Sequence, residues 1–293
     1  MRELIKLGQQ SYYISGATNT GVYRQSENEV YIIDPGTDEN EGRETEKILQ
    51  GRGWRLKGIL CTHCHSDHTG ANAYLQKRYK CPVFAYGMEA VFINNSILDP
   101  MVAYGGKPVD ELLGSDIYAQ PCVCFDVQHD DFPKEIEIVN LPGHSLDHTG
   151  YMLPDGTFFV GDTLIDAEGL KKYPLSYIYD PDEVLKTLER MKQMKASVFV
   201  PSHAKPVSDI SELIEANIQN VYEVSDMILS LCETPSDMEE ITNSLFNRCG
   251  IKMNCEKYIL IMGIVRTNIG WLKKTGRIEC FVYDNRLLWR NLK

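Results

Sequence analysis

Short apolar runs broken by Gly, Pro and Asp fill the first two-thirds of the chain, and the last third reads in long helical periods. Residues 11–14, 21–24 and 30–33 set Tyr, Val and Ile between polar turns, which predicts three strands; Asn28 lies in the turn between the second and third. Asp34-Pro35-Gly36 stops the third strand. Residues 41–50 have the charged, amphipathic spacing of a helix, ended by Gly51 and Gly53. Residues 58–61 form a short apolar strand, 69–79 a helix and 81–85 another strand. This alternation marks an α/β layered fold. Residues 87–135 are less regular, and predict an insertion with short helices, of the sort that roofs a site. Strands are expected again at 136–141, 149–153 and 157–160, a helix at 181–194 and a last strand at 197–201.

Beyond Pro206 the texture changes. Residues 209–232 read as one long helix. Ser236 opens a second, with Glu239 three positions on as a capping box, and 256–274 is a third. Residues 277–290 predict two strands around the turn Asp284-Asn285. Helix, helix and hairpin resemble a winged helix. The expected organisation is a catalytic domain at 1–206 and a helical, winged-helix-like domain at 207–293.

Composition narrows the classes. The 293 residues suit one large domain or two ordinary ones, and the 43% hydrophobic and 24% charged shares are those of a folded globular protein. A net charge of −11 argues against coating nucleic acid or an anionic membrane as the main task. No apolar run approaches the ~18–20 residues that cross a bilayer, and residues 1–13 do not read as a signal peptide. Nine cysteines, an odd number scattered from Cys61 to Cys280, point to reduced thiols. A cytoplasmic location is expected.

Three of the seven histidines fall within six residues, His63-Cys64-His65-Ser66-Asp67-His68, after an apolar strand and before a helix. His63 and His65 alternate and can point the same way, and Asp67 and His68 can reach a neighbouring point. Ligands at such spacing can feed two metal ions a few ångströms apart. Imidazole and carboxylate suit Zn, Fe or Mn better than Ca or Mg. Any one of these histidines alone would read as a hydrogen-bonded structural residue. However, His144 in Pro142-Gly143-His144-Ser145, Asp162 in Val160-Gly161-Asp162-Thr163 and His203 in Pro201-Ser202-His203-Ala204 each stand just past a predicted strand as well. Strand ends are where loops carry sites on a rigid scaffold.

The series His63-x-His65-x-Asp67-His68, then His144, Asp162 and His203, resembles the metallo-β-lactamase-fold hydrolases over about residues 1–206, at all seven usual metal-ligand positions. The resemblance implies an αββα sandwich with a two-metal site at one sheet edge. His63, His65 and His144 would bind one divalent ion, and Asp67, His68 and His203 the other, with Asp162 bridging; Zn is the first expectation, Fe and Mn the alternatives. A water shared by two cations has its pKa lowered from ~15.7 toward ~7 and can attack a carbonyl or phosphoryl centre. Asp67 is the candidate catalytic proton acceptor, with a purely ligating role as its alternative. Asp34, at its strand end, is expected to support the ligand loop. His148, in Gly143-His144-Ser145-Leu146-Asp147-His148, is a candidate for supporting the ligands or contacting substrate, against a packing role.

Departures refine the subclass. Zinc β-lactamases of this fold commonly carry Cys where this chain has Asp162, and flavodiiron proteins carry Glu in place of His65. Glyoxalase-II-type thioesterases resemble the loop closely, with His where Cys64 stands, which makes Cys64 a buried neighbour rather than a nucleophile. The expected activity is hydrolysis of a thioester or related small ester by a metal-bridged hydroxide. The alternatives are a single-strand nuclease or phosphodiesterase, and an iron-dependent persulfide dioxygenase. From Arg248 onward ten Lys/Arg face three acids, a balance of +7 that leaves −18 for the rest. That tail suggests either nucleic-acid contact or a basic module packed against acidic surface. The partners expected are a small-molecule substrate, nucleic acid through the tail as an option, no membrane, and a homo-oligomer as an option.

Overall fold

Strands that bury both faces read as unbroken apolar runs, and residues 30–33, Val-Tyr-Ile-Ile, do so. The computed structural model describes residues 2–114 and 117–292; Met1, Ser115, Asp116 and Lys293 lie outside them. The chain opens with β1 (Leu4–Lys6), β2 (Ser11–Ile14), β3 (Thr20–Arg24) and β4 (Glu29–Ile33), followed by α1 (Glu39–Gly51) and β5 (Arg55–Leu60). Next come the one-turn α2 (Ser66–Thr69), α3 (Asn72–Tyr79) and β6 (Val83–Ala85). The irregular stretch contains α4 (Gly87–Asn94), α5 (Leu98–Tyr104), a 3-10 turn (Asp110–Leu113) and β7 (Cys124–Asp126).

These strands form one seven-stranded sheet in the order β1 to β7, antiparallel up to β4 and parallel from there on. A four-stranded sheet follows, in the order β11-β10-β9-β8, from β8 (Glu137–Asn140), β9 (Thr149–Met152), β10 (Thr157–Ile165) and β11 (Val198–His203). Alternation along β4 divides its side chains between two cores. Val30 and Ile32 join the core that takes in Leu49 of α1 and Leu75 of α3. Tyr31 and Ile33 join a core shared with Tyr151, Phe159 and Val200 of the other sheet. On β5 the register against β4 slips at Lys57, so Leu56 and Ile59, three apart, share one face.

Cα proximity separates two units. One comprises Met1–Pro142, Leu146–Ile165 and Gln193–Ile210; the other comprises Gly143–Ser145, Asp166–Lys192 and Ser211–Lys293. The second contains α6 (Ala167–Lys172), α7 (Pro181–Met191), α8 (Ser211–Leu231), α9 (Met238–Cys249), α10 (Cys255–Lys274) and the hairpin β12 (Ile278–Tyr283) with β13 (Arg286–Asn291). Its core runs from Leu175 through Val224, Ile228, Ile241, Phe246 and Val265 to Ile278.

Several local expectations are corrected. The helix expected at 69–79 is split, and its first part starts at Ser66, which puts Asp67 and His68 on a helical turn. The capping box of α9 is Asp237 with Glu240, not Ser236 with Glu239. Ser236 instead uses its backbone, exchanging hydrogen bonds of 3.1 and 2.9 Å with Trp289. The edge strands β1 and β7 and the helix α6 were not expected, because three to six residues carry too little periodicity to stand out.

Candidate metal centre

The candidate ligands hang from different parts of the scaffold: Asp67 and His68 sit on the single turn of α2, His203 closes β11, and Asp162 lies inside β10, which runs on to Ile165 instead of ending before it as expected. Asp34 closes β4 with a left-handed backbone, φ +51°, which a short polar side chain tolerates. The turn aims its buried carboxylate at the end of β5, where it accepts the Thr62 N–H at 2.8 Å, the Thr62 hydroxyl at 2.7 Å and His68 Nδ1–H at 3.0 Å. A hydroxyl has one proton, and here the carboxylate takes it. Thr62 Oγ1 therefore accepts from His63 Nδ1, 3.0 Å away. One aspartate thus orients two imidazoles, His68 directly and His63 through Thr62, with Nε2 of each as the nitrogen that could bind a metal. His203, at the end of β11, donates Nδ1–H to the Ala17 carbonyl at 2.9 Å, with the same consequence. Asn19 secures that strand end through the carbonyls of Pro201 and Ala204.

The ligand atoms gather in two groups. His63, His65 and His144 offer atoms within 4.8 Å of one another, and so do Asp67, His68, Asp162 and His203. The His63 and His68 rings, one from each group, have centroids 4.1 Å apart. Asp162 spans its group, with Oδ1 3.1 Å from His68 Nε2 and Oδ2 3.2 Å from His203 Nε2. Asp67 Oδ2 lies 3.4 Å from His68 Nε2 and 3.3 Å from His203 Nε2, and accepts the Thr18 hydroxyl at 3.1 Å. Asp67 is also the more open carboxylate, 37% exposed against 8% for Asp162. His148 is fully buried and accepts the Asp162 N–H at Nε2, 3.1 Å away. Gly161 permits that contact: its φ is +57°, and a Cβ there would stand 2.4 Å from His148 Nε2.

The electrostatics are those of a cation cage. Burial disfavours charge on Asp162, but His203 and His68 outweigh it and hold its carboxyl well below the usual range. Asp67 behaves alike, with burial overcome by His68 and His203. Asp162 raises His203 to about 11. Burial pulls the other way on His68, yet Asp67, Asp162 and Asp34 together lift it well above the ordinary imidazole value. Protons and divalent cations compete for such a site. The donor set, imidazole nitrogen and carboxylate oxygen with no thiolate, fits zinc, iron or manganese.

Thr62, Asn19 and Glu89 support the site without belonging to any motif singled out above. Thr62 directly precedes the histidine cluster, and Glu89 is the one acid in the mostly apolar helix α4; both are visible signals. Cys64 is half-buried, burial pushes its thiol up, and all nine cysteines are free. Among the described residues no helix is long and apolar enough to cross a membrane.

The pattern of the Metallo-beta-lactamase superfamily matches residues 14–203, and the chain belongs to that superfamily. The chain is similar to a hydroxyacylglutathione hydrolase of Shewanella pealeana, 30% identical over 158 residues, 54% of this chain and 47% of that protein. The protein of the same name from Shewanella baltica is 27% identical over 198 residues, 67% and 65%. The chain thus spans about half to two-thirds of the length of these relatives. The fold matches a metallo-beta-lactamase family protein of Thermus thermophilus at TM-score 0.69 and 18% identity, over 100% of this chain and 98% of that one. A beta-lactamase domain protein of Burkholderia ambifaria matches at 0.68 and 17%, over 99% and 94%.

Proposed function

We propose that this chain is a metal-dependent hydrolase that binds two divalent ions, zinc by preference, and cleaves a thioester or related small ester. The observation that carries the reading is the pair of neighbouring donor groups, three histidines in one and two histidines with two aspartates in the other. The relatives' name, hydroxyacylglutathione hydrolase, supports hydrolysis of an acylated thiol. Divalent ions held there supply Lewis acidity and bring the pKa of water toward neutrality.

The protein's own residues do the rest. Asp34, Thr62 and the Ala17 carbonyl hold three imidazoles in the ligating tautomer. Asp162, in the group with Asp67, His68 and His203, would be the carboxylate shared between the ions. Asp67, partly open to solvent and steadied by Thr18, is the group placed to take a proton from the attacking nucleophile.

The basic tail does not favour the nuclease alternative. Lys274 meets Asp182 at 3.0 Å, Arg277 meets Asp226 at 2.6 Å, Arg286 meets Asp237 and Glu240, and Arg290 meets Glu279. Much of its charge is answered by carboxylates within the same unit.

The test is metal quantification with a panel of thioesters, lactones and phosphodiesters. The reading expects about two ions per chain and turnover of the thioester class. A single iron with oxygen uptake would refute it, as would intact metal content and activity in Asp162→Ala.

A further inference from the structure

Glu89 belongs to neither donor group, yet its carboxylate is 1% exposed. A buried carboxylate costs several kcal/mol unless strong donors answer it, and here backbone N–H groups from two distant loops do so. Oε2 accepts the Cys64 N–H at 2.8 Å, and Oε1 accepts the Asp147 N–H at 2.9 Å. Cys64 stands between His63 and His65. Asp147 precedes His148, whose Nε2 takes the N–H of Asp162. The link is returned as well: Asp147 Oδ2 accepts the Met88 N–H at 2.7 Å, in the first turn of α4.

We propose that Glu89 is a positioning residue, which sets the spacing between the loop of the first histidines and the loop that steadies Asp162. The inference rests on the metal-centre reading above. Both oxygens act as acceptors, so only a carboxylate suffices. A glutamine of the same shape has one acceptor and one NH₂, and the NH₂ would face a backbone N–H.

The experiment is a zinc titration of the full chain against a chromophoric chelator, with thermal melting of the metal-free protein alongside. Glu89→Gln is expected to weaken zinc about 10- to 100-fold, the usual range for groups that orient ligands, while the metal-free protein still melts cooperatively. A lowered melting point with wild-type zinc affinity would mean that Glu89 only packs, and overturns the proposal. Should Glu89→Gln not fold, Asp147→Ala decides: it removes the return bond to Met88, and weaker zinc is expected, whereas unchanged affinity overturns the proposal. A wild-type chain that takes up no zinc, iron or manganese refutes the metal reading and this inference together. Zinc uptake by wild type with no change in Glu89→Gln refutes this inference alone.

Discussion

Thr62→Val keeps the shape of the side chain and deletes one oxygen, so it isolates the relay from Asp34 to His63. The fully buried His63 loses the acceptor of its Nδ1–H, and Asp34 loses one of three donors while keeping the Thr62 N–H and His68. A buried polar group stripped of a partner costs about 1–3 kcal/mol. With two groups affected, about 3 kcal/mol of the metal-free protein's stability should go. For a chain of this size that lowers Tm by roughly 6–12 °C. The metal-binding effect is selective. His63 is no longer confined to one tautomer, so the His63–His65 group should hold zinc about tenfold more weakly. The group of Asp67, His68, Asp162 and His203 keeps its supports and its affinity. A competition titration that resolves two zinc steps reads both outcomes, and calorimetry reads the stability. Wild-type affinity in both steps, or an equal loss in both, refutes the relay.

Other consequences are testable in the same way. Gly161→Ala forces a side chain into φ +57° and against His148, and should cost at least ~2 kcal/mol in a denaturant melt while loosening zinc; a neutral result refutes the close-approach argument. Asp237→Ala should lower stability by about 1 kcal/mol as a lost helix cap, whereas Ser236→Ala should change little, and the reverse order would restore the capping register expected from sequence. Asp155 takes bonds from Gln10 N–H and the Ser11 hydroxyl, which with those from Thr157 outweigh burial and hold its carboxyl below the usual value. Its folded pKa is depressed, so its stabilisation is full at neutral pH and is lost as pH falls through that folded value. The stability gap between wild type and Asp155→Ala should therefore close in acid, and a gap that stays constant with pH would contradict it. Exhaustive chelation should abolish turnover and re-addition of zinc should restore it.

Sequence by itself determined the elements with strong local signals: the apolar strands of the first half, the long helices of the last third and the hairpin at Asp284-Asn285. Those signals, spacing, alternation and turn residues, are written within a few positions of each other. Only the tertiary structure decided who partners whom. Asp34 reaches Thr62 and His68 across 28 and 34 residues, and Glu89 reaches Asp147 across 58. It also decided that residues 166–192 pack with the C-terminal helices, through Leu175 against their core and the Asn220 amide on the Pro174 carbonyl. The basic tail makes the same point. Its charge could be counted along the chain, but the carboxylates that answer it, Asp182, Asp226, Asp237 and Glu240, are brought near by packing. Periodicity fixes which face of an element is buried; hydrogen-bond geometry between distant segments exists only once those faces have met.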